Sequence, residues 1–194
     1  MSALEWLAPE AAWTVEGGVV RLRPPRRADY QAWAELRSRS RNFLQPWEPT
    51  WPGDDLTRTA FRRRLEAYAR ERAAGQAYRF LVFRSEDEML VGGLSLSNVR
   101  RGVAQTATLG YWAGEPFAGR GYTTAAVTAA VRFAQKTLGL HRVEAACVPE
   151  NDRSRRVLEK AGFEYEGRAR AYLKIDGVWR DHLLFGQVID EAPR

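Results

Sequence analysis

The residues best placed to do chemistry are Gly119-Arg120-Gly121-Tyr122-Thr123-Thr124, which follow an alternating, strand-like run and open a stretch of helical periodicity. Two glycines let a backbone aim several N–H groups at one point, and the first turn of a helix adds partial positive charge there. A pyrophosphate fits such a place. Between residues 118 and 135 the only charged side chains are Arg120 and Arg132, so no carboxylate in that stretch opposes an anion. The Lys-Ser/Thr ending of a nucleotide P-loop and the third glycine of a dinucleotide fingerprint are both missing, and taken alone the two glycines serve a tight turn equally well.

A second group is Asn151 with Ser154. Asn151 suits the N-cap of a short helix and Gly162 the left-handed position after it. The same spacing sets an amide and a hydroxyl beside whatever enters between that helix and a neighbouring sheet. The third candidate is Glu48, in a segment where Pro46, Pro49 and Pro52 alternate with Phe43, Trp47 and Trp51. It reads either as a base or amine anchor, or as an ordinary loop carboxylate. Cys147 lies in an apolar run that places neither His141 nor His182 as its activating partner, so an acyl-cysteine mechanism is not expected. One cysteine and two histidines at these spacings make no metal site. Asp181 and His182 could be catalytic but are expected to fix a closing hairpin through an ion pair or hydrogen bond, and Tyr172 could assist the transfer but is expected to be buried packing in that hairpin.

The elements that must hold these groups follow from periodicity. Residues 19–23 read as a strand closed by Pro24 and Pro25, and a helix follows over 29–40. The prolines disfavour helix over 42–54, and a second helix runs over 57–73 to Gly75. Three extended runs, 78–84, 89–99 and 106–112, have connections short enough for antiparallel hairpins. A helix over 123–138 carries an apolar stripe of Val127, Ala130, Val131, Ala134 and Leu138. A strand over 142–148, a helix over 152–160 and a hairpin of 165–173 with 178–189 around Asp176-Gly177 complete an α+β domain with a mixed sheet.

The chain has 194 residues, enough for one domain with a substantial core. Thirty basic and 24 acidic residues give +6 and favour anionic partners. No RNA-binding motif accompanies that charge, so direct nucleic-acid binding is not expected. The basic clusters at 21–27 and 62–72 read as solvated faces. A single cysteine excludes an internal disulfide, no apolar run is long enough to span a bilayer, and the N-terminus lacks a basic n-region. A cytoplasmic protein is the resulting expectation.

Taken in order, the motifs resemble the GNAT-type N-acetyltransferases, and within them the ribosomal-protein-alanine N-acetyltransferases. The resemblance rests on Gly119-Arg120-Gly121-Tyr122-Thr123 and on Asn151 to Ser154. It rests also on Phe43-Leu44-Gln45-Pro46-Trp47-Glu48-Pro49, Ser97-Asn98-Val99, Leu109-Gly110-Tyr111, His141-Arg142, and Tyr172-Leu173 with Trp179-Arg180-Asp181-His182. It implies a GNAT-like, mostly antiparallel sheet of about seven strands with about four helices. Residues 1–18 would be an extension and 19–190 one domain. Acetyl-CoA would lie between diverging strands as co-substrate, with no metal. Backbone groups at Leu109, Tyr111 and Trp112 would pair with its pantetheine and polarise the thioester, and the amides of Gly119, Arg120, Gly121, Tyr122, Thr123 and Thr124 would hold its pyrophosphate. Ser154 would protonate the departing thiolate, Asn151 would bind pantetheine or the acceptor backbone, and Glu48 would be base or amine anchor. Ala171 stands where some relatives carry a carboxylate, which leaves the base unassigned. The acceptor implied is a protein N-terminus, of a ribosomal protein or another, met by a monomer or dimer away from membranes. A small-molecule amine, including a drug or aminoglycoside, and a non-catalytic acetyl-CoA-binding module on the ribosome are the alternatives.

Overall fold

The computed structural model describes residues 13–189, and its elements follow the expected order with two additions. Strand β1 (Val15–Glu16) and β2 (Val20–Arg23) lead into helices α1 (Tyr30–Arg39), α2 (Arg41–Leu44) and α3 (Arg58–Ala73). Then come β3 (Tyr78–Arg84), β4 (Leu90–Arg100), β5 (Thr106–Ala113), α4 (Tyr122–Lys136), β6 (Arg142–Cys147) and α5 (Asp152–Lys160). The chain closes with β7 (Glu164–Ile175) and β8 (Val178–Val188). One eight-stranded sheet runs β1-β2-β3-β4-β5-β6-β8-β7, antiparallel throughout except for the β5–β6 pair. The α+β class and mostly antiparallel sheet are as expected. The eighth strand is β1, too short to leave a periodic signal.

The second addition, α2, corrects the expectation that prolines keep residues 42–54 free of helix. The helix ends at Leu44, and Pro46 sits in the first turn of the 3-10 segment Gln45–Trp47, where a missing N–H costs no hydrogen bond.

Period-two alternation in β3 builds a core on each face of the sheet. Tyr78, Phe80 and Val82 point to the cluster under α4, while Leu81 and Phe83 join Trp33, Leu36 and Phe61 under α1 and α3. Opposite β3, Val82 pairs with Gly92 but Phe83 with Leu90, so Val91 is an extra residue in β4. This bulge moves Leu90 to the α1 side while Val91 and Leu94 stay on the α4 side. Helix α4 presents Ala126, Val127, Ala130, Val131 and Ala134 to that larger core, as its stripe requires. No helix among the described residues is long and apolar enough to cross a membrane.

Leu96 is fully buried and pairs with Leu109, at the last rung before β5 leaves β6. Leu96→Ala is expected to cost about 2 to 5 kcal/mol, as for other large-to-small changes in a close-packed core. The measurement is the shift in urea unfolding midpoint.

Candidate active site

Strand β5 pairs with β6 only from Thr106↔Arg142 to Leu109↔Ala145. Beyond that rung each strand keeps its outer neighbour: Gly110 to Ala113 stay on β4, and Ala146 and Cys147 stay on β8. The sheet therefore opens along one line. The facing edges of Gly110–Trp112 and Ala146–Cys147 are strand backbone with no rung between them, and extended backbone groups seek partners. Leu109 marks the root of the gap, and Tyr111 and Trp112 lie on its β5 edge.

Past β5 the chain turns through residues 114–121 into α4. The turn is anchored from the far side of the sheet, where the buried Ser40 hydroxyl accepts the Glu115 N–H at 2.9 Å. Gly119 and Gly121 have φ of +75° and +84°, a region that disfavours side chains, and a Cβ at either would meet nothing within 4 Å. Gly121 is the N-cap of α4 and provides no side-chain acceptor. Among the described residues no protein group accepts the N–H groups of Gly119, Arg120, Gly121, Tyr122, Thr123 or Thr124. Amides without acceptors, at the positive end of a 15-residue helix, fit a phosphate-bearing group.

Across the gap, Asn151 caps α5 by accepting the Ser154 N–H on Oδ1 at 3.0 Å. That leaves its amide nitrogen as the group it can offer a ligand. The Ser154 hydroxyl meets the Tyr111 hydroxyl at 2.8 Å, and Tyr111 also donates toward the Ser154 carbonyl at 3.1 Å. Burial raises the Tyr111 pKa well above that of an ordinary phenol, so it stays a proton donor across the working pH range. Cys147 belongs to the same cluster. Burial pushes its thiol up to about 11, with the Ser154 hydroxyl pulling in the opposite direction, which suits an inert thiol. The Tyr111 hydroxyl was not foreseen, because 43 residues separate it from Ser154 and only the parting of the strands brings them together.

On the opposite face of the sheet lies Glu48. Its two oxygens accept both terminal nitrogens of Arg37 at 2.7 Å, and Oε2 also accepts the Trp51 indole N–H at 2.7 Å. Arg37 is buried, with its guanidinium carbon 4.0 Å from the Trp51 ring centroid and 4.9 Å from that of Trp112. Three donors thus occupy most of the roughly four lone-pair sites of this carboxylate, leaving one on Oε1 for a further donor. The surrounding segment is tied to the β7–β8 turn: the Glu48 carbonyl accepts the Asp176 N–H at 2.9 Å, and Gln45 Nε2 donates to Asp176 at 3.2 Å.

Asp181 fixes the closing hairpin, holding Arg168 at 2.8 Å and accepting the N–H of Ala171 at 2.9 Å. The Ala171 contact, then Arg168, keeps its carboxyl below the usual range, and Ala171 itself adopts φ +45°. Buried His182 bonds the Arg180 carbonyl through Nδ1 at 3.0 Å. Tyr172 is not the buried residue expected; it is 46% exposed, because β7 is the edge strand.

A family model described as "Acetyltransferase (GNAT) domain" matches residues 20–164. The chain is 37% identical over 178 residues to the [ribosomal protein uS5]-alanine N-acetyltransferase of Escherichia coli K12, covering 91% of this chain and 90% of that protein. Its fold superposes on the ribosomal-protein-S5-alanine acetyltransferase of Vibrio fischeri with a TM-score of 0.84 at 30% identity, covering 92% and 97% of the two chains. Mycobacterium smegmatis RimJ in complex with CoA-disulfide gives a TM-score of 0.84 at 36% identity, covering 93% and 87%.

Glu48→Gln leaves the buried Arg37 without a counter-charge. A loss of roughly 2 to 3 kcal/mol is expected, below that of a fully buried pair because the Glu48 side chain keeps 21% of its exposure. Chemical denaturation reads the loss, and quenching changes at Trp51 and Trp112 report whether the guanidinium leaves its place between the rings.

Proposed function

The chain belongs to the GNAT acetyltransferase family, and from that membership we propose that it transfers the acetyl group of acetyl-CoA to the N-terminal α-amine of a ribosomal or other protein that begins with alanine or serine. The parting of β5 from β6 beside acceptor-free amides carries this reading. The similarity to ribosomal-protein acetyltransferases over nine-tenths of the chain supports the choice of acceptor.

Bound acetyl-CoA supplies a thioester carbonyl for the amine nitrogen to attack and a thiolate to leave. The amides of Gly119 to Thr124 hold the pyrophosphate, and the free backbone edge at Leu109, Tyr111 and Trp112 aligns the pantetheine and draws electron density from the carbonyl. Ser154 gives its hydroxyl proton to the thiolate while Tyr111, keeping its own proton, donates a hydrogen bond to the Ser154 oxygen through their 2.8 Å contact. The proton that the attacking amine sheds as the amide forms returns to Ser154, so that neither hydroxyl ends the cycle charged. The Asn151 amide nitrogen is free to bind pantetheine or the acceptor backbone. Glu48 acts as the anchor of the acceptor-side segment, set by Arg37 and Trp51. No carboxylate base is required, since a protein α-amine has a pKa of about 7.7 to 8.0 and is already partly neutral near pH 7.5.

Incubation with acetyl-CoA and a panel of N-terminal peptides tests this reading. Peptides beginning with alanine or serine are expected to gain one Nα-acetyl group, with kcat/KM rising toward pH 8. No peptide turnover alongside efficient acetylation of an aminoglycoside or other small amine overturns it. Ser154→Ala is expected to lower kcat about 100-fold and Tyr111→Phe about 10-fold, with little change in the KM for acetyl-CoA.

A further inference from the structure

Helices α2 and α5 belong to opposite faces of the sheet, α2 beside α1 and α5 beside α4, yet they touch: the Arg153 guanidinium carbon lies 5.2 Å from the centroid of the Phe43 ring. Arg153 stands between Asn151 and Ser154 at the start of α5, so this contact passes beyond the last β5–β6 rung, at the open end of the gap. Two residues before Phe43, Arg41 lies 5.2 Å from the centroid of the Trp51 ring, which also carries Arg37 and donates its N–H to Glu48. Both Arg41 and Arg153 are exposed. A guanidinium held by its face on an aromatic ring has its plane fixed and keeps its N–H edge for a planar acceptor. Other arginines lie on rings as well, Arg58 on Tyr30 and Arg72 on Trp13 among them, but on a helix that does not border the gap. What sets this pair apart is its place. Of the carboxylates nearest in sequence, Glu48 is neutralised by Arg37, Glu150 is paired with Arg180 at 3.0 Å, and Asp152 lies in the first turn of α5, where the helix's own amides favour it.

An amine that attacks a thioester beside Ser154 brings the next residues of its own chain past this mouth, at about 3.5 Å per residue. We propose that Arg41 and Arg153 bind a carboxylate at the second or third position of the acceptor, and so select N-termini that carry an acidic residue just after the alanine or serine. The inference rests on the Nα-acetylation reading above and adds the residues that set the acceptor's sequence. A carboxylate meets the N–H edge of a guanidinium in a two-point, charge-assisted contact, a neutral amide gains less, and an ammonium is repelled. The contact is remote from the reacting carbonyl and is made equally in the bound complex and in the transition state. It therefore acts on the KM for the peptide more than on kcat.

The test is steady-state kinetics of the full chain at saturating acetyl-CoA, with three peptides that begin with alanine and carry glutamate, glutamine or lysine at positions two and three. The native protein is expected to favour glutamate over glutamine about 3- to 10-fold in kcat/KM, through KM, with lysine below both. Raising the NaCl concentration is expected to bring the three together, because exposed charges are screened. The same convergence is expected at low salt in Arg41→Gln/Arg153→Gln, whereas Arg41→Lys/Arg153→Lys keeps the order of the three peptides. Comparable kcat/KM for all three in the native protein, or an undiminished glutamate preference once both arginines are replaced by glutamine, overturns the assignment and leaves Nα-acetylation standing. Acetylation of none of the peptides overturns the Nα-acetylation reading and this one with it.

Discussion

The structure depends on the end of one ladder. A parallel pair that stops at Leu109↔Ala145, while both strands continue, leaves two backbone edges facing each other. Each strand keeps its outer antiparallel neighbour, so the sheet as a whole survives the opening. Backbone groups withheld from partners are costly, and a molecule with amide groups of its own can satisfy both edges as a strand would. The turn at Gly119 to Gly121 supplies the complementary end, with amides that α4 cannot use internally. Together these features make an acyl donor with a long amide-containing arm and a diphosphate a natural occupant.

Strand β5 also joins two side-chain clusters on opposite faces of the sheet. Successive side chains on a strand point to opposite faces, so Tyr111 reaches α5 and Ser154 while Trp112 stacks toward Arg37 on the α1 side. Arg37 in turn holds Glu48 and Trp51, and through Glu48 the segment that touches the β7–β8 turn. The Tyr111–Ser154 contact and the Arg37–Glu48–Trp51 cluster thereby share one rigid element. Small displacements of β5 are felt by both, and positioning within fractions of an ångström is what such transfer reactions require.

Most of the fold was legible because its signals are local. The alternation of β3, the apolar stripe of α4 and the cap at Asn151 with its glycine at 162 can each be read within a dozen residues. The loop glycines were legible for the same reason. What escaped was short or non-local: β1 has two residues, α2 has four, and the exposure of Tyr172 depends on which strand ends the sheet. The role of Asp181 in holding Ala171 at positive φ needs a register shift between β7 and β8 that no motif announces.

Residue order alone determined the element sequence, the anion-suited turn before α4 and the pairing of an amide with a hydroxyl at the start of α5, since periodicity, glycine and capping preferences act over a few residues. Only the tertiary structure decided which distant groups meet: Tyr111 with Ser154, Arg37 with Glu48 and both tryptophans, and Arg153 with Phe43 at the open end of the gap. Those meetings are set by where the sheet opens and how helices pack on its two faces, which are properties of the whole chain's packing and leave no mark on any short stretch of it.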